Sequence, residues 1–355
     1  MRAPISSDMT KRMKVGIIGA GGIARGAHIP GYLKLTEQVE LVAVADVVRS
    51  QAEACGRQFG IPHIYDSYEA MLAAGGLDAV SICTPNKFHA AAAIAALEAG
   101  CHVLCEKPPG ITPAEAEAMA AAARRHNRLL TYGFHYRYAT EVETLRRFIR
   151  AGELGDIYMA RVTATRRRGI PGWGVFTNKE LQGGGALIDI GVHMLDAALY
   201  LMGYPEPEQV LARTYNKLGT RPGVGLGGSW DWANFSVEDT AVGMITFRNG
   251  ASLMLETAFA ANVEQDKQMQ VSLLGDQGGA DVFPLKIYQE KHETLVDVTP
   301  VYQQAGKPRE AEIAAFVRGC LGGELPASTP QEGVLLQRLV DALYRSAETG
   351  EAIRL

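Results

Sequence analysis

The sequence lacks several patterns that would place it in a specialised class of protein. Its five cysteines are scattered, with no CxxC pair and no zinc-ligand spacing, so we expect buried thiols of a reducing compartment rather than a disulfide framework. A large excess of one sign of charge is also missing. The formal net charge is −4 over 355 residues, which gives no reason to expect nucleic acid as a partner. With 47% hydrophobic and 21% charged residues, the composition is that of an ordinary globular protein.

Neither the most apolar long run nor the first residues have the pattern of a membrane anchor or a secretory signal. The most apolar long run, residues 89–105, is interrupted by Glu98, Gly100 and His102 and is too short to span a bilayer. Residues 1–17 have no apolar core ahead of the first predicted strand. We therefore expect a cytoplasmic protein without a membrane partner, with a loose tail before Lys11.

From residue 14 to residue 133, short β-branched runs alternate with alanine-rich stretches of helical periodicity. The runs, each a predicted strand, are KVGII, VELVAVA, PHIY, AVSIC, HVLC and LLTYG. Helices are predicted between them, near residues 23–35, 49–59, 68–74, 89–99 and 113–126. The last has Thr112 as N-cap, with Pro113 in the first turn and Glu115 three residues after the cap. This alternation predicts a doubly wound α/β domain with a parallel sheet.

Past Gly133 the pattern changes from alternation to hairpins. A helix over residues 141–151 precedes the strand IYMARVTATR, and DTAVGMITF and ASLMLETAF flank Asn249-Gly250, a type I′ hairpin signal. MQVSLLG and GADVFPL predict a second hairpin through residues 276–278, and helices near residues 310–320 and 331–348 follow. We predict two domains, residues 1–135 and 136–355, the second an α+β domain with a large open, mainly antiparallel sheet.

A GxGxxA motif lies between the first predicted strand and the first predicted helix. Its residues are Gly19, Ala20, Gly21, Gly22, Ile23 and Ala24. Asp46 ends the second strand, where a carboxylate can bind the ribose hydroxyls of an adenosine. Such a string by itself can be a simple strand-to-helix turn, but its flanks predict dinucleotide binding, with the pyrophosphate at the helix N-terminus. A carboxylate at Asp46 repels the extra phosphate of NADP, which favours NAD; Arg49 and Arg57 can soften that preference.

Two further motifs end neighbouring strands of the predicted sheet. Lys107 lies in CEKPP after the fifth strand, and ligands of open α/β sheets bind outside the carboxyl ends of strands. It is either directed at a substrate oxygen or an exposed loop lysine. The fourth strand ends in Thr84-Pro85-Asn86 with His89 nearby. This segment either lines the cofactor or merely caps the following helix through Asn86.

The stretch GGGALIDIGVHMLD, residues 183–196, carries Asp189 and His193 four residues apart. On a helix the two side chains share a face, so they can act as an acid and an imidazole in one site. A single histidine on such a helix is more often a partly buried structural residue. The glycine triplet can let a ligand approach the backbone. Gly191 can let either the nicotinamide or a neighbouring strand pass close to the helix.

Together these motifs resemble, in order and spacing, the Gfo/Idh/MocA family of sugar and polyol oxidoreductases. The resemblance covers GAGGIA, the TPNxxH segment, EKP and GGGALxDxGxH. It implies an N-terminal Rossmann domain that binds NAD, a C-terminal domain with a large open sheet, and an active site between them. It also implies that Lys107, Asp189 and His193 are the catalytic lysine, aspartate and histidine. One departure is GFHYRY, where His135 replaces the asparagine of many members.

The expected function is NAD-dependent oxidation of a secondary hydroxyl of a sugar, glycoside or cyclic polyol, without a metal. His193 would take the hydroxyl proton and Lys107 would stabilise the oxygen, with Asp189 contacting substrate or orienting the pair. The expected cofactor contacts are Gly19, Gly21, Gly22, Ile23, Ala24, Asp46, Thr84, Pro85, Asn86, His89, Glu106 and Lys107. The expected substrate contacts are His135, Arg166, Arg167, Arg168, Trp173, Asp189 and His193, although the arginines can equally form a solvated loop or a subunit contact.

Two alternatives to this function stay open at the level of sequence. One is an NADPH-dependent reductase of a keto-sugar or anhydro-sugar, which Asp46 disfavours. The other is a non-catalytic NAD-binding regulator, which would not need all of Lys107, Asp189 and His193. In either case the open sheet of the second domain predicts a homodimer or homotetramer through that sheet.

Overall fold

The computed structural model of the protein describes residues 12–302 and 306–355, so the predicted tail before Lys11 lies outside the described residues. Parallel strands build the first sheet: β1 Met13–Ile18, β2 Val39–Ala45, β3 His63–Tyr65, β4 Ala79–Ile82, β5 His102–Cys105 and β6 Leu130–Tyr132. Their spatial order is β3-β2-β1-β4-β5-β6, so the strand order reverses between β1 and β4. This is the doubly wound arrangement predicted for the first part of the chain, with its binding crevice at the reversal.

Helices cross over between these strands, and all but the first lie at the predicted places. They are α1 Ile29–Tyr32, α2 Arg49–Phe59, α3 Tyr68–Ala73, α4 His89–Glu98 and α5 Pro113–Arg125. The predicted capping box is present, because the Thr112 hydroxyl accepts from Glu115 N and the Glu115 carboxylate accepts from Thr112 N. The first helix differs from its prediction: a π-helical segment, Ala24–His28, precedes α1, and the helix ends at Tyr32.

The second part of the chain forms a mixed, mostly antiparallel sheet. Its strands are β7 Ile157–Arg166, β8 Pro207–Tyr215, β9 Thr240–Phe247, β10 Ser252–Ala258, β11 Lys267–Gly275, β12 Gly278–Asp281, β13 Lys286–Lys291, β14 Thr294–Val298 and β15 Ile353–Arg354. The order is β14-β13-β12-β11-β7-β10-β9-β8-β15, in which β7 and β10 pair in parallel. The remaining helices are α6 Thr140–Arg150, α7 Lys179–Gln182, α8 Val192–Leu201, α9 Pro308–Cys320 and α10 Pro330–Thr349. The α+β prediction is confirmed.

Two local predictions in this sheet are wrong. The turn between β9 and β10 is not type I′, because Gly250 has a φ of 87° while Asn249 has no positive φ. Gly250 N instead donates to Phe247 O, and the Asn249 side chain accepts from Ala251 N. The second predicted hairpin is present as β11 and β12, but β12 ends at Asp281 instead of running through GADVFPL, and Phe283 N donates to the Gln270 side chain rather than to a strand carbonyl.

Helix α9 carries the second part of the chain back onto the first sheet. Its Ile313, Phe316 and Val317 are buried in one cluster with Val15 and Ile17 of β1. The stretch Lys179–Leu201 has the length and composition of a membrane span, but 89% of its most apolar window is buried inside the protein, as in a core helix. It packs on β7, β10 and β11 of the second sheet and presents residues to the cleft described next.

Candidate active site

The glycine loop after β1 leaves open space where a dinucleotide would bind. Gly19 has a φ of 93°, and a Cβ there would lie 2.7 Å from the carbonyl oxygen of Cys83, so the tight turn requires glycine. A Cβ on Gly21 or Gly22 would meet nothing within 4 Å, because these residues border the cleft. Backbone amides at the start of a helix bind a pyrophosphate well. The loop therefore fits an NAD molecule.

Asp46 is fixed at the edge of this loop. Its two carboxylate oxygens accept from Ala20 N and from Val48 N, each at 2.8 Å. Arg49, one of the two arginines that can soften the preference for NAD, lies 3.0 Å from Glu53 and pairs with that carboxylate instead. The charge of Asp46 thus stands without a direct arginine partner among the described residues.

His89 joins the two loops that follow β4 and β5. Its Nδ1 lies 2.9 Å from Pro108 O and its Nε2 lies 2.9 Å from Thr84 O, and burial lowers the pKa of the ring. Asn86 is also turned toward the protein, since its Nδ2 donates to Gln182 O at 3.0 Å. Both residues border the cleft, and their polar groups hold its walls together.

Glu106 is buried at the centre of a polar network beneath Lys107. Its Oε1 lies 3.1 Å from His28 Nε2 and 3.2 Å from Arg309 Nη1, and its Oε2 accepts from Lys107 N at 3.2 Å. Burial alone would raise the pKa of Glu106, but the hydrogen bond and charge of His28, with Arg309, hold that pKa well below its ordinary value. Gly133 makes room for the carboxylate, because a Cβ there would lie 2.9 Å from Oε2.

Lys107 meets Asp189 across the cleft, from opposite parts of the chain. Lys107 Nζ donates to Asp189 Oδ1 at 2.8 Å and to Asp189 O at 2.9 Å, with the two side chains only 12% and 13% exposed. Asp189 lies in a π-helical segment, Leu187–Gly191, that precedes α8. Such π turns are frequent at functional sites. The structure thus brings together the lysine and the carboxylate that the sequence places 82 positions apart.

His193 is available as a neutral base in the same cleft. Burial lowers its pKa well below the ordinary value, and the charge of Lys107 lowers it further. Its Nδ1 is buried without a hydrogen-bond partner in the described part of the chain. The rings of His135 and Tyr136 lie 5.0 Å and 5.5 Å from it, and burial lowers the pKa of His135 to about 3. Two uncharged imidazoles therefore face one another beside Lys107.

The glycines of the GGG helix make room for protein rather than for a ligand. A Cβ on Gly184 would overlap the hydroxyl of Tyr344, and one on Gly185 would overlap the carbonyl of Glu238. Gly191 has the second of its two predicted roles. A Cβ there would lie 3.0 Å from the hydroxyl of Thr257 on β10, so a neighbouring strand passes close to the helix.

Residues of both halves enclose a cleft of about 710 Å³. It is lined by Gly21, Gly22, Ile23, Thr84, Pro85, Asn86, His89, Glu106, Lys107, His135, Arg166, Trp173, Asp189 and His193. Trp173 is 59% exposed at its rim. The structure does not bring Arg168 into this cleft: its guanidinium donates to Ala261 O at 2.9 Å and borders another cavity with Arg167.

Tyr136, Arg309 and Lys267 are among the cleft residues that the sequence did not predict. Tyr136 lies in the GFHYRY segment and could have been found beside His135. Arg309 and Lys267 belong to α9 and β11, and nothing in their local sequence marks them. These two residues reach the cleft only through the way the folded chain brings α9 and β11 to it.

Comparisons with known proteins agree along the whole chain. The family described as an oxidoreductase family with an NAD-binding Rossmann fold matches residues 13–134, and its C-terminal alpha/beta domain matches residues 146–355. D-glucoside 3-dehydrogenase of Escherichia coli (strain K12) is 44% identical over 343 residues, 97% of each chain. Levoglucosan dehydrogenase of Pseudarthrobacter phenanthrenivorans is 30% identical over 95% of this chain and 96% of its own. A solved levoglucosan dehydrogenase in complex with NADH, 23% identical, has the same fold, with a TM-score of 0.84 over 97% of this chain and 99% of that one.

Proposed function

Because this chain belongs to the Gfo/Idh/MocA family of oxidoreductases, we propose that it is an NAD-dependent dehydrogenase that oxidises a secondary hydroxyl of a sugar, glycoside or cyclic polyol. One observation carries the proposal. The Lys107–Asp189 pair and the neutral His193 border the same cleft as the open glycine loop. When bound, NAD supplies the nicotinamide carbon that accepts a hydride.

His193 is proposed as the general base for the hydroxyl proton. An imidazole whose pKa lies below neutrality is uncharged at neutral pH and can accept a proton at once. In the reverse direction the same ring returns the proton to the oxygen. Neither ring nitrogen has a hydrogen-bond partner within residues 12–302 and 306–355, so the substrate hydroxyl does not have to displace a protein group.

Lys107 is proposed to orient and stabilise the reacting oxygen. An ammonium group has three N–H donors, and the backbone oxygen and the carboxylate Oδ1 of Asp189 accept two of them. The third donor is left for the substrate oxygen, where negative charge develops as the proton leaves. Asp189 Oδ2 has no partner in the described part of the chain and can accept a hydrogen bond from a neighbouring sugar hydroxyl.

Among the substrate classes we favour a glucoside that is oxidised at carbon 3. The support is the 44% identity with the D-glucoside 3-dehydrogenase of Escherichia coli over 97% of both chains. His135, Arg166 and Trp173 line the cleft and are the proposed substrate contacts, together with Asp189 and His193. Asp46, fixed by two backbone amides, supports NAD over NADP.

The test is a steady-state assay of nicotinamide absorbance across glucosides, free aldoses and inositols with NAD and with NADP. We expect Lys107→Ala and His193→Ala each to abolish turnover with little change in NAD affinity. Lys286→Ala and His126→Ala, which lie outside the cleft, are the matched controls. Near-normal rates in either cleft variant would refute the role given to that residue. NAD binding without turnover of any substrate would favour the regulator.

We also propose that two copies associate through the outer face of the second sheet. Leu211, Met244 and Met254 are in register on β8, β9 and β10 and are each about half exposed, which is costly in water. Arg161 and Glu256 lie on the same face, so a two-fold axis can place opposite charges together. A single-copy mass in light scattering at micromolar concentration would contradict this. The cytoplasmic location stays a prediction.

A further inference from the structure

A row of aromatic rings leads from His193 out of the cleft. The Tyr136 ring centroid lies 5.5 Å from that of His193 and 5.6 Å from that of Phe283, and both pairs meet edge to face. Tyr136 borders the reaction cleft and also a second cavity of about 590 Å³, which Phe283 lines on its far side. Lys267 and Met269 border both spaces as well. The second cavity therefore adjoins the site of reaction.

The main chain of Phe283 is held in place by one neighbouring side chain. Gln270 accepts from Phe283 N and donates to Phe283 O, each at 2.9 Å, so one amide side chain clamps the residue on both sides. Phe283 is partly exposed, although a ring of this size is usually buried. A fixed, accessible ring beside an enzyme cleft is suited to contact a ligand.

The rim of this second cavity carries long polar side chains that have no protein partner. Gln265, Lys267 and Gln268 are exposed and form no side-chain hydrogen bond or ion pair with any described residue. An aromatic face bordered by free amides and an ammonium matches a sugar ring, which has apolar C–H faces and hydroxyls around its edge.

A third cavity also reaches Tyr136 and Phe283, but the two lysines that line it are already paired. It has a volume of about 670 Å³ and is lined by Lys34, Lys307 and Glu310. The ammonium groups of Lys34 and Lys307 lie 2.6 Å and 3.3 Å from the carboxylate of Glu310. Hydrogen bonds to a ligand there would compete with these ion pairs. The cavity beside β11 offers free donors instead.

We infer that the space between Tyr136, Phe283 and the start of β11 is a second sugar subsite, which rests on the function proposed above. The substrate is then a disaccharide. Its oxidised ring lies against Lys107 and His193, and its second ring lies on Phe283 with its hydroxyls toward Gln268. The subsite deepens the proposed specificity: a glycoside with a single methyl group in place of the second ring leaves this cavity empty.

The test compares kcat/KM for glucose disaccharides of each linkage with kcat/KM for the two methyl glucosides, at saturating NAD. For the wild-type protein we expect at least one disaccharide to exceed the methyl glucosides by roughly tenfold, as expected for an aromatic contact with added hydrogen bonds. Phe283→Ala is expected to remove most of that ratio. Gln268→Ala, a change at an exposed position that does not threaten folding, is expected to reduce it by about threefold.

Trp232→Ala is the matched control, because Trp232 is an exposed aromatic residue that borders neither space. It should leave the ratio unchanged. Equal kcat/KM for methyl glucosides and all disaccharides would overturn the subsite while the dehydrogenase function stands. A phenyl glucoside oxidised better than every disaccharide would also overturn it, in favour of an aromatic group. Absence of turnover with every sugar would overturn the proposed function and the subsite together.

Discussion

The carboxylate of Asp46 should decide between NAD and NADP, and Asp46→Asn isolates its charge. Asparagine has the same shape and keeps one oxygen, so it can still accept from Ala20 N or from Val48 N, but not from both. The other backbone N–H then faces the side-chain NH₂ group of the asparagine, which cannot accept its hydrogen bond. The variant therefore removes the negative charge and also weakens the attachment of the glycine loop to the end of β2.

The two effects have different sizes for the two cofactors. Two unit charges 4 Å apart interact by about 1 kcal/mol in water and about 4 kcal/mol near a protein surface, so repulsion of a 2′-phosphate is worth about 2 kcal/mol or more. Its removal should raise kcat/KM for NADP relative to NAD by roughly thirtyfold. The lost hydrogen bond should lower kcat/KM for NAD itself by about tenfold.

The assay is the ratio of kcat/KM for NADP and NAD at a fixed, saturating sugar concentration. Asp78→Asn is the matched control, since Asp78 also accepts a backbone hydrogen bond, from Lys14 N at 2.8 Å, but at the start of β4 and away from the loop. We expect it to change the ratio by less than about twofold. If Asp46→Asn changes the ratio no more than Asp78→Asn does, the carboxylate does not set cofactor choice.

Three further predictions concern the structure around the cleft. Burial holds the pKa of His135 at about 3, below its value in the unfolded chain, so its contribution to stability is complete above pH 6.5 and is lost as pH falls toward 3. Below pH 6, the free energy of unfolding in urea should fall by about 1 kcal/mol per pH unit less for His135→Asn than for the wild type. The same dependence of that free energy on pH in both proteins would contradict this. Gly184→Ala should lower the free energy of unfolding by about 2 kcal/mol, because its Cβ meets the Tyr344 hydroxyl; an unchanged melting temperature would refute that contact. Glu106→Gln should cost about 3 kcal/mol by leaving the Arg309 charge without its partner, and a loss below about 1 kcal/mol in chemical unfolding would refute the buried network.

The sequence predicts those elements whose pattern is local and strong. Val39–Ala45 and Ile157–Arg166 begin and end where expected, because each is a β-branched run bounded by polar or glycine residues. Strands β8, β13 and β14 were not predicted. In β14, for example, only Val296 and Val298 are partly buried, and in β8 charged residues interrupt the apolar ones. Such strands form because a neighbour in the sheet supplies hydrogen bonds, which their own sequence does not reveal.

The site residues likewise fall into those that a local motif identifies and those whose position depends on the fold. Each of Lys107, Asp189 and His193 lies in a motif whose residue order already indicates a role, and the structure places all three on one cleft. Arg166 and Arg168 are two residues apart in one basic run, yet only Arg166 borders that cleft. Strand β7 ends at Arg166, so the course of the following loop carries Arg168 away from the cleft, and an arginine run carries no record of that course.

The buried carboxylate of Glu106 explains why the lysine site belongs to neither half of the chain alone. It receives Lys107 N from its own loop, His28 from the segment after the glycine loop, and Arg309 from α9. A charged group at such depth is stable only while all these partners stay in place. The Glu106 carboxylate thus links three parts of the chain: the segment after the glycine loop, the lysine loop and α9. A shift of α9 would move Arg309 and, through the Glu106 side chain, the backbone of Lys107. The position of the reacting oxygen therefore depends on packing that no single motif encodes.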